Sequence, residues 1–349
     1  MEEKEKTFVL DYDPAPEEKK PEPVPLLKVV AEALDNSGRL PEGFSLPEKD
    51  AEEEGGPEGG GPKIRWADGA QDGVLMYHTE RGPMSPEEQA LMADAVWAVS
   101  TGEDEKADEL FVQLSGIRPV LFYAEELQDY LLQNRETVSN ETVYRYARRC
   151  MEKSSDKDLV KLGLTVLQLF ETKNDQKLCS EIRTLAVCSE FTLYALQSIL
   201  DWPDADAELF ALAKKTYGWG RVQTMRFLKA DNDAVKRWVL KEGVNNGVLP
   251  CYTARAAWEL SNADKLLDGP LSAEEFGYIR NIIDALLDED AVYGISRIKD
   301  PESVIRRFLH RAQSFKLGTD DYNVIIQIEK RWEKDPLIPA MCRDLKEHM

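Results

Sequence analysis

An all-helical body, built from stacked hairpins behind an acidic leader, is the fold class that the 349-residue sequence predicts. Three observations carry this expectation. From Ser85 onward, capping signals open apolar segments of helical period, and strand-type alternation of β-branched residues is nearly absent. Residues 1–85, about a quarter of the chain, hold 10 of the 18 prolines and 10 of the 21 glycines. They also carry 20 acids against 10 bases, which leaves 45 against 34 for the rest.

The leader, residues 1–62, reads as a disordered acidic Pro/Gly-rich tail. Its first residues, Met-Glu-Glu-Lys-Glu-Lys, lack the apolar stretch of a signal peptide. Asp50 to Pro62 has a Glu-rich start and a Gly55–Gly61 core, and cannot bury enough apolar surface to offset its ordering entropy. One island differs. Leu26, Leu27, Val30, Ala33 and Leu34 recur at helical spacing, giving a short helix within residues 25–37 closed by Gly38. It is either a docking element or a marginal isolated helix. Residues 63–84 form a junction. There Ile64 to His78 carries two Asp-Gly turn signals between short apolar runs, the pattern of a small hairpin.

The body is expected over residues 85–336, followed by a C-terminal tail at 337–349. Ser85-Pro86-Glu87-Glu88 combines an N-cap serine, a proline at the first helical position and a glutamate at the third. Ser272 to Glu275 repeats the box, and Phe276, Ile279, Ile283 and Leu286 then mark one helix face. Asp300-Pro301 opens a helix whose stripe is Val304, Phe308, Ala312 and Phe315, and Thr319 caps another carrying Ile325, Ile328 and Trp332.

Between these lie four similar units: Leu164–Asp175, Leu193–Asp206, Val222–Asp233 and Ala254–Asp264. Each is an apolar helix followed by an Asn/Asp-rich turn, and the turn aspartates lie 27–31 residues apart. A helical hairpin of this size cannot cover its own apolar face and must stack on neighbours. In period and pattern the chain resembles the HEAT and armadillo class of α-solenoids over residues 86–335, with shorter units. A compact helical bundle is the competing arrangement.

The formal net charge of −21 argues against general binding to nucleic acid or to anionic membrane surfaces. No apolar run approaches the ~20 residues that cross a bilayer. The five cysteines are scattered without a C-x-x-C pair, which points to buried small hydrophobes in a reducing, cytoplasmic setting. His78, His310 and His348 sit in no metal-ligand spacing, so no metal site is expected. Gly218-Trp219-Gly220 lacks the third glycine and the preceding strand of a dinucleotide loop. Glu125 and Asp129, four apart, read as a solvated helix face.

A run of aromatics and arginines is more informative. Trp202, Tyr217, Trp219, Arg221, Arg226, Trp238, Tyr252, Arg255 and Trp258 fall within 57 residues. Trp, Tyr and Arg are the commonest binding anchors because they join large contact area to directed donors. Tyr217, Trp219, Arg221, Arg226, Trp238, Arg255 and Trp258 are therefore the candidate binding residues for a protein or peptide partner. The alternative is that the tryptophans are core and the arginines surface neighbours. A second basic cluster, Arg145, Arg148 and Arg149, carries the same two readings.

The acidic leader, the Val74–Glu88 junction and the Leu209–Leu228 segment together resemble a bacterial family of which some members are labelled limonene hydroxylase. That resemblance implies a monooxygenase converting limonene to perillyl alcohol or carveol, with a reduced nicotinamide or flavin as donor. It carries no catalytic residue onto this chain. Oxygen insertion into a C–H bond is a cofactor's chemistry, and no haem, iron or flavin signature is found in the sequence.

Overall fold

The structure is a computed structural model that describes residues 23–47 and 66–348. Among these residues every regular element is helical, and there is no strand. The linker expected at Asp50–Pro62 lies outside the described residues, as do residues 1–22 of the tail.

Part of the expected tail is body. The first helix, α1 (Leu26–Ala33), starts at Pro25, whose fixed φ suits a helix entry. Leu26 and Val30, one turn apart, are fully buried where α1 packs on the sixth and eighth helices. The Leu26 N–H donates to the Ser154 carbonyl at 2.9 Å. This helix ends before Gly38 because the Asp35 carboxylate accepts from the N–H groups of Ser37 and Arg39 at 2.8 and 2.9 Å. That Asx-type turn competes with another helical turn.

The predicted hairpin at 63–84 is a helix instead, α2 (Ala70–His78). Its two Asp-Gly pairs do different work. Gly69, at φ +74°, turns the chain into the helix. Gly73 lies inside it, where a Cβ would stand 2.2 Å from Cε3 of the Trp219 indole. Tertiary contact, which turn propensity does not see, decides between helix and hairpin here.

The body begins with α3 (Pro86–Thr101), α4 (Asp104–Ile117) and α5 (Val120–Gln133). The predicted capping box is present: Glu88 N–H donates to Ser85 Oγ and Ser85 N–H to Glu88 Oε2, at 3.2 and 2.6 Å. Next come α6 (Asn140–Lys153), α7 (Lys157–Leu167), α8 (Gln176–Ala186) and α9 (Ser189–Leu200). They are followed by α10 (Ala205–Lys215), α11 (Trp219–Phe227), α12 (Asp233–Glu242) and α13 (Cys251–Leu260). The chain closes with the short α14 (Ala263–Leu266), then α15 (Ala273–Leu287), α16 (Pro301–Ala312), α17 (Thr319–Arg331) and α18 (Ile338–Glu347).

One packing rule runs through the middle. Helices α7, α9, α11, α13, α15 and α17 each pack on the next in that row, while α6, α8, α10 and α12 each pack on the helix that follows them. The four sequence units correspond to α7, α9, α11 and α13 with their turns. Their aspartates are less uniform than the pattern suggests. Asp175 caps α8, accepting from Leu178 N–H at 3.0 Å. Asn232, not Asp233, caps α12, while Asp206 and Asp264 lie inside helices.

Helix α9 is the hub, touching α2, α7, α8, α10 and α11, and its Phe191 is fully buried. Fully burying a side chain of that size contributes about 1.5–3 kcal/mol. Two further expectations are corrected. The cap of α17 is Gly318, whose N–H donates to the Asp321 carboxylate at 2.8 Å, and Thr319 is already helical. The expected tail at 337–349 contains α18, which buries Ile338, Cys342 and Leu345 against α16 and α17. The i, i+4, i+7 spacing of those residues was the available signal. No helix among the described residues is long and apolar enough to cross a membrane.

Candidate functional site: a tyrosine and arginine cleft walled by α2

The site depends on α2 being held against α7 and α9. Lys161, only 3% exposed, places Nζ 2.9 Å from Asp72 Oδ2 and 2.6 Å from Glu190 Oε1. Tyr194 OH donates to the same Asp72 oxygen at 3.1 Å. The second oxygen of Glu190 accepts the Gly69 N–H at 2.6 Å. Asp68, just before α2, pairs with Lys157 at 3.0 Å and accepts the Leu46 N–H at 2.9 Å. One buried cation from the body is thus shared between a carboxylate of α2 and a carboxylate of α9, with Asp158 of its own helix at 3.9 Å.

This latch has a pH dependence. Burial alone would raise the Glu190 carboxyl, but the Lys161 ammonium and the Gly69 N–H hold it below the usual carboxylate value. Burial disfavours the Lys161 ammonium, yet Asp72 and Glu190 raise its pKa well above that of an ordinary lysine. A depressed carboxylate stabilises the fold above its unfolded pKa and loses that contribution as pH falls through the folded one. A raised lysine keeps its contribution until strongly alkaline pH. Below about pH 4, the usual carboxyl range, α2 should therefore release before the body melts. Amide exchange followed by mass spectrometry from pH 7 to pH 3, corrected for the intrinsic pH dependence, should show residues 70–78 losing protection first. Simultaneous loss across α2 and α9 would contradict this.

Docked in this way, α2 presents Met76 and Tyr77 toward α11 and α13. The rings of Tyr77, Trp219 and Tyr252 form a cluster with centroids 4.8–6.1 Å apart, and His78 Nε2 lies 2.8 Å from Tyr252 OH. Beside this cluster opens a cleft of about 820 Å³ between α2, α11, α13 and the loop at 288–293. Its aromatic and charged lining is Tyr77, Tyr252 and Tyr293, the cations Arg226 and Arg255, and the carboxylates Glu259, Glu289 and Asp290. The Arg226 guanidinium stands 5.8 Å over the Tyr77 ring and touches Met76 sulfur, with no carboxylate in ion-pair range among the described residues. Among the described residues Arg255 pairs with its own helix neighbour Glu259, at 3.8 Å. Tyr293 is 69% exposed at the rim.

The opposite wall is fixed by Glu289. It accepts from the N–H groups of Gly294 and Ser296 at 2.7 and 2.9 Å and from Ser296 Oγ at 2.6 Å, and it pairs with Arg331. Burial works against this carboxylate, but these donors hold it down at about 2. It is therefore occupied in supporting the loop.

The seven candidate residues divide. Arg226 and Arg255 line the cleft, and Tyr217 and Arg221 line a different one. Trp219 is 6% exposed beneath α2 and Trp258 is 4% exposed in the core. Trp238 is half-buried, with its ring 5.5 Å from the Arg221 guanidinium. Trp202 is buried as well, donating Nε1–H to Thr172 Oγ1 at 3.0 Å under the stacked Arg183. The tryptophans are thus packing residues. Met76, Tyr77 and Tyr293 lie outside the run of anchors in the sequence, and only the docking of α2 brings them in.

Other sequence features resolve as structure. Gly218, at φ +64°, follows helix α10 and donates its N–H to the Asn246 carbonyl at 2.7 Å. Arg145, Arg148 and Arg149 are matched by carboxylates of α4, α6 and α8 and by Asp175. Glu125 pairs with Arg81 at 2.7 Å, and His310 is exposed. All five cysteines are free and buried, and burial pushes the Cys150 thiol up to about 12. Among the described residues no group of three or more His, Cys, Asp or Glu could hold a metal ion. No family model, curated protein or solved structure matches the chain.

Proposed function

We propose that the chain is a cytoplasmic helical-repeat binding protein that captures a peptide segment of another protein in the cleft between α2, α11 and α13. In this reading the α7–α17 row is the inner layer of a short α-solenoid, and α6, α8, α10 and α12 form its outer layer. Solenoids offer extended faces on which repeated anchors grip a partner. The single observation that carries the reading is Arg226. Its guanidinium is exposed and lies over an aromatic ring, with no carboxylate partner among the described residues, in a chain of net charge −21.

An acidic side chain next to an aromatic or aliphatic one would suit this wall. The carboxylate would pair with Arg226 or Arg255, and the apolar residue would lie on Tyr77, Tyr252 and Tyr293. Peptides selected by display on the intact chain should therefore be enriched in Asp or Glu beside Phe, Leu or Tyr. Their affinity, measured by fluorescence anisotropy, should fall roughly tenfold or more in Arg226→Ala and in Arg255→Ala, which corresponds to loss of one charge-assisted contact of about 1.5–3 kcal/mol. Both residues are exposed, so helical content by circular dichroism should not change. Unaltered affinity in both variants would refute the assignment.

A further inference from the structure

A second cleft, of about 590 Å³, lies at the turn into α11. It is bounded by the leader loop at 39–44, the C-terminal end of α10, the turn into α11 and the start of α9. Four cations line it: Arg39, Lys214, Lys215 and Arg221. The two carboxylates there are Glu42 and Asp68, and Asp68 is committed to Lys157. In so acidic a chain this local excess of positive charge is anomalous, and helix propensity does not explain it. Lys214 and Lys215 complement the C-terminal dipole of α10. Arg221, from α11, also donates to the carbonyl of Thr216, the C-cap of α10, whereas Arg39, from the leader loop, has no such role.

Arg221 is the informative member. It is 8% exposed, and its Nε and Nη1 donate to the carbonyls of Thr216 and Asn245 at 2.9 and 2.7 Å. Its guanidinium lies between the rings of Tyr217 and Trp238, at 5.7 and 5.5 Å. Neither bonded group carries a charge, and no carboxylate lies within ion-pair distance among the described residues. The backbone contacts fix the guanidinium plane and leave Nη2 without a protein partner there. Leaving a cation buried without a counter-charge costs several kcal/mol. Burial holds the Arg221 pKa below the usual guanidinium value; the charge of the Glu242 carboxylate works against this, and the positive charge of Arg39 adds to it. Four cations on one cleft against the two carboxylates Glu42 and Asp68, one of them already paired, describe a site shaped for an external anion.

We propose that this cleft binds a small organic phosphate, its phosphate group lying between Arg39 and Arg221 with Lys215 alongside. A phosphate suits this set better than a single carboxylate because it presents more charge and more acceptor oxygens to four cations. Phe44 and Tyr217, the latter 58% exposed, offer apolar surface to the organic part. The site is separate from the peptide cleft and shares no lining residue with it.

The test is calorimetric titration of the full chain with pyrophosphate and with AMP at low salt. Saturable binding at one site is expected, with a dissociation constant below about 1 mM and weakening as salt screens the exposed cations. Arg39→Ala and Lys215→Ala replace exposed side chains and should each weaken pyrophosphate binding about tenfold, whereas Arg226→Ala in the other cleft should leave it unchanged. Arg221→Ala removes backbone contacts as well and serves only beside a circular dichroism check of folding. Absence of saturable binding of both probes, or binding that is indifferent to Arg39→Ala and Lys215→Ala, would overturn the proposal. Either result leaves the peptide assignment to its own variants.

Discussion

Replacing Lys161 by methionine should destabilise the chain by about 3–5 kcal/mol, the usual cost of leaving buried charges without their partner. Asp72 and Glu190 both contact Nζ of this one side chain, and they sit on different helices, α2 and α9. Without the ammonium, two carboxylates would face each other in a buried place with Tyr194 OH and the Gly69 N–H as remaining donors. The cheapest relief is for α2 to leave. Urea denaturation should therefore show a lower midpoint, together with early amide exchange over residues 70–78. The triple variant Lys161→Met, Asp72→Asn, Glu190→Gln keeps the shapes and removes the charges, and should recover much of the loss. A single variant as stable as the parent would show that the latch contributes nothing.

Gly163→Val should cost about 3 kcal/mol, the upper end for overpacking, although valine is a better helix former than glycine. Gly163 lies in α7 where that helix crosses α6. A Cβ there would stand 2.7 Å from the Ala147 carbonyl oxygen and 2.8 Å from the Met151 nitrogen. Both are backbone atoms of α6 and cannot swing aside as a side chain would. Even Gly163→Ala should destabilise, so its sign opposes the propensity gain of about 1 kcal/mol. At Gly116, where a Cβ meets nothing within 4 Å, substitution by alanine should stabilise slightly. Thermal melts of the two alanine variants, shifting in opposite directions, test the close approach of α6 and α7. Shifts of the same sign would contradict it.

The sequence carried the helices of the body well because their signals are local. Ser85, Ser272 and Asp300 accept the hydrogen bonds their spacing implied, and the four repeated units correspond to four consecutive members of one packed row. It failed where a long-range contact overrides a local preference. The two Asp-Gly pairs look like hairpin turns, and nothing nearby in the sequence says that Gly73 meets Trp219. The candidate site was half legible for the same reason. Arg226 and Arg255 belong to the visible run of anchors. Tyr77 is far from them in the chain, and Lys161, which holds α2 in place, sits inside an apolar helix that reads as core. Burial of the tryptophans was also invisible, since a tryptophan in an amphipathic segment looks the same whether it faces a partner or the interior.

The most direct test of the account is the amide-exchange footprint of a display-selected peptide on the intact chain. Slowed exchange should map to the C-terminal half of α2 at Leu75–Thr79, the first turn of α13 around Tyr252 and the 288–293 loop, with α8 and α10 unaffected. Protection confined to the outer helices, with α2 and the 288–293 loop exchanging as in the free protein, would contradict it.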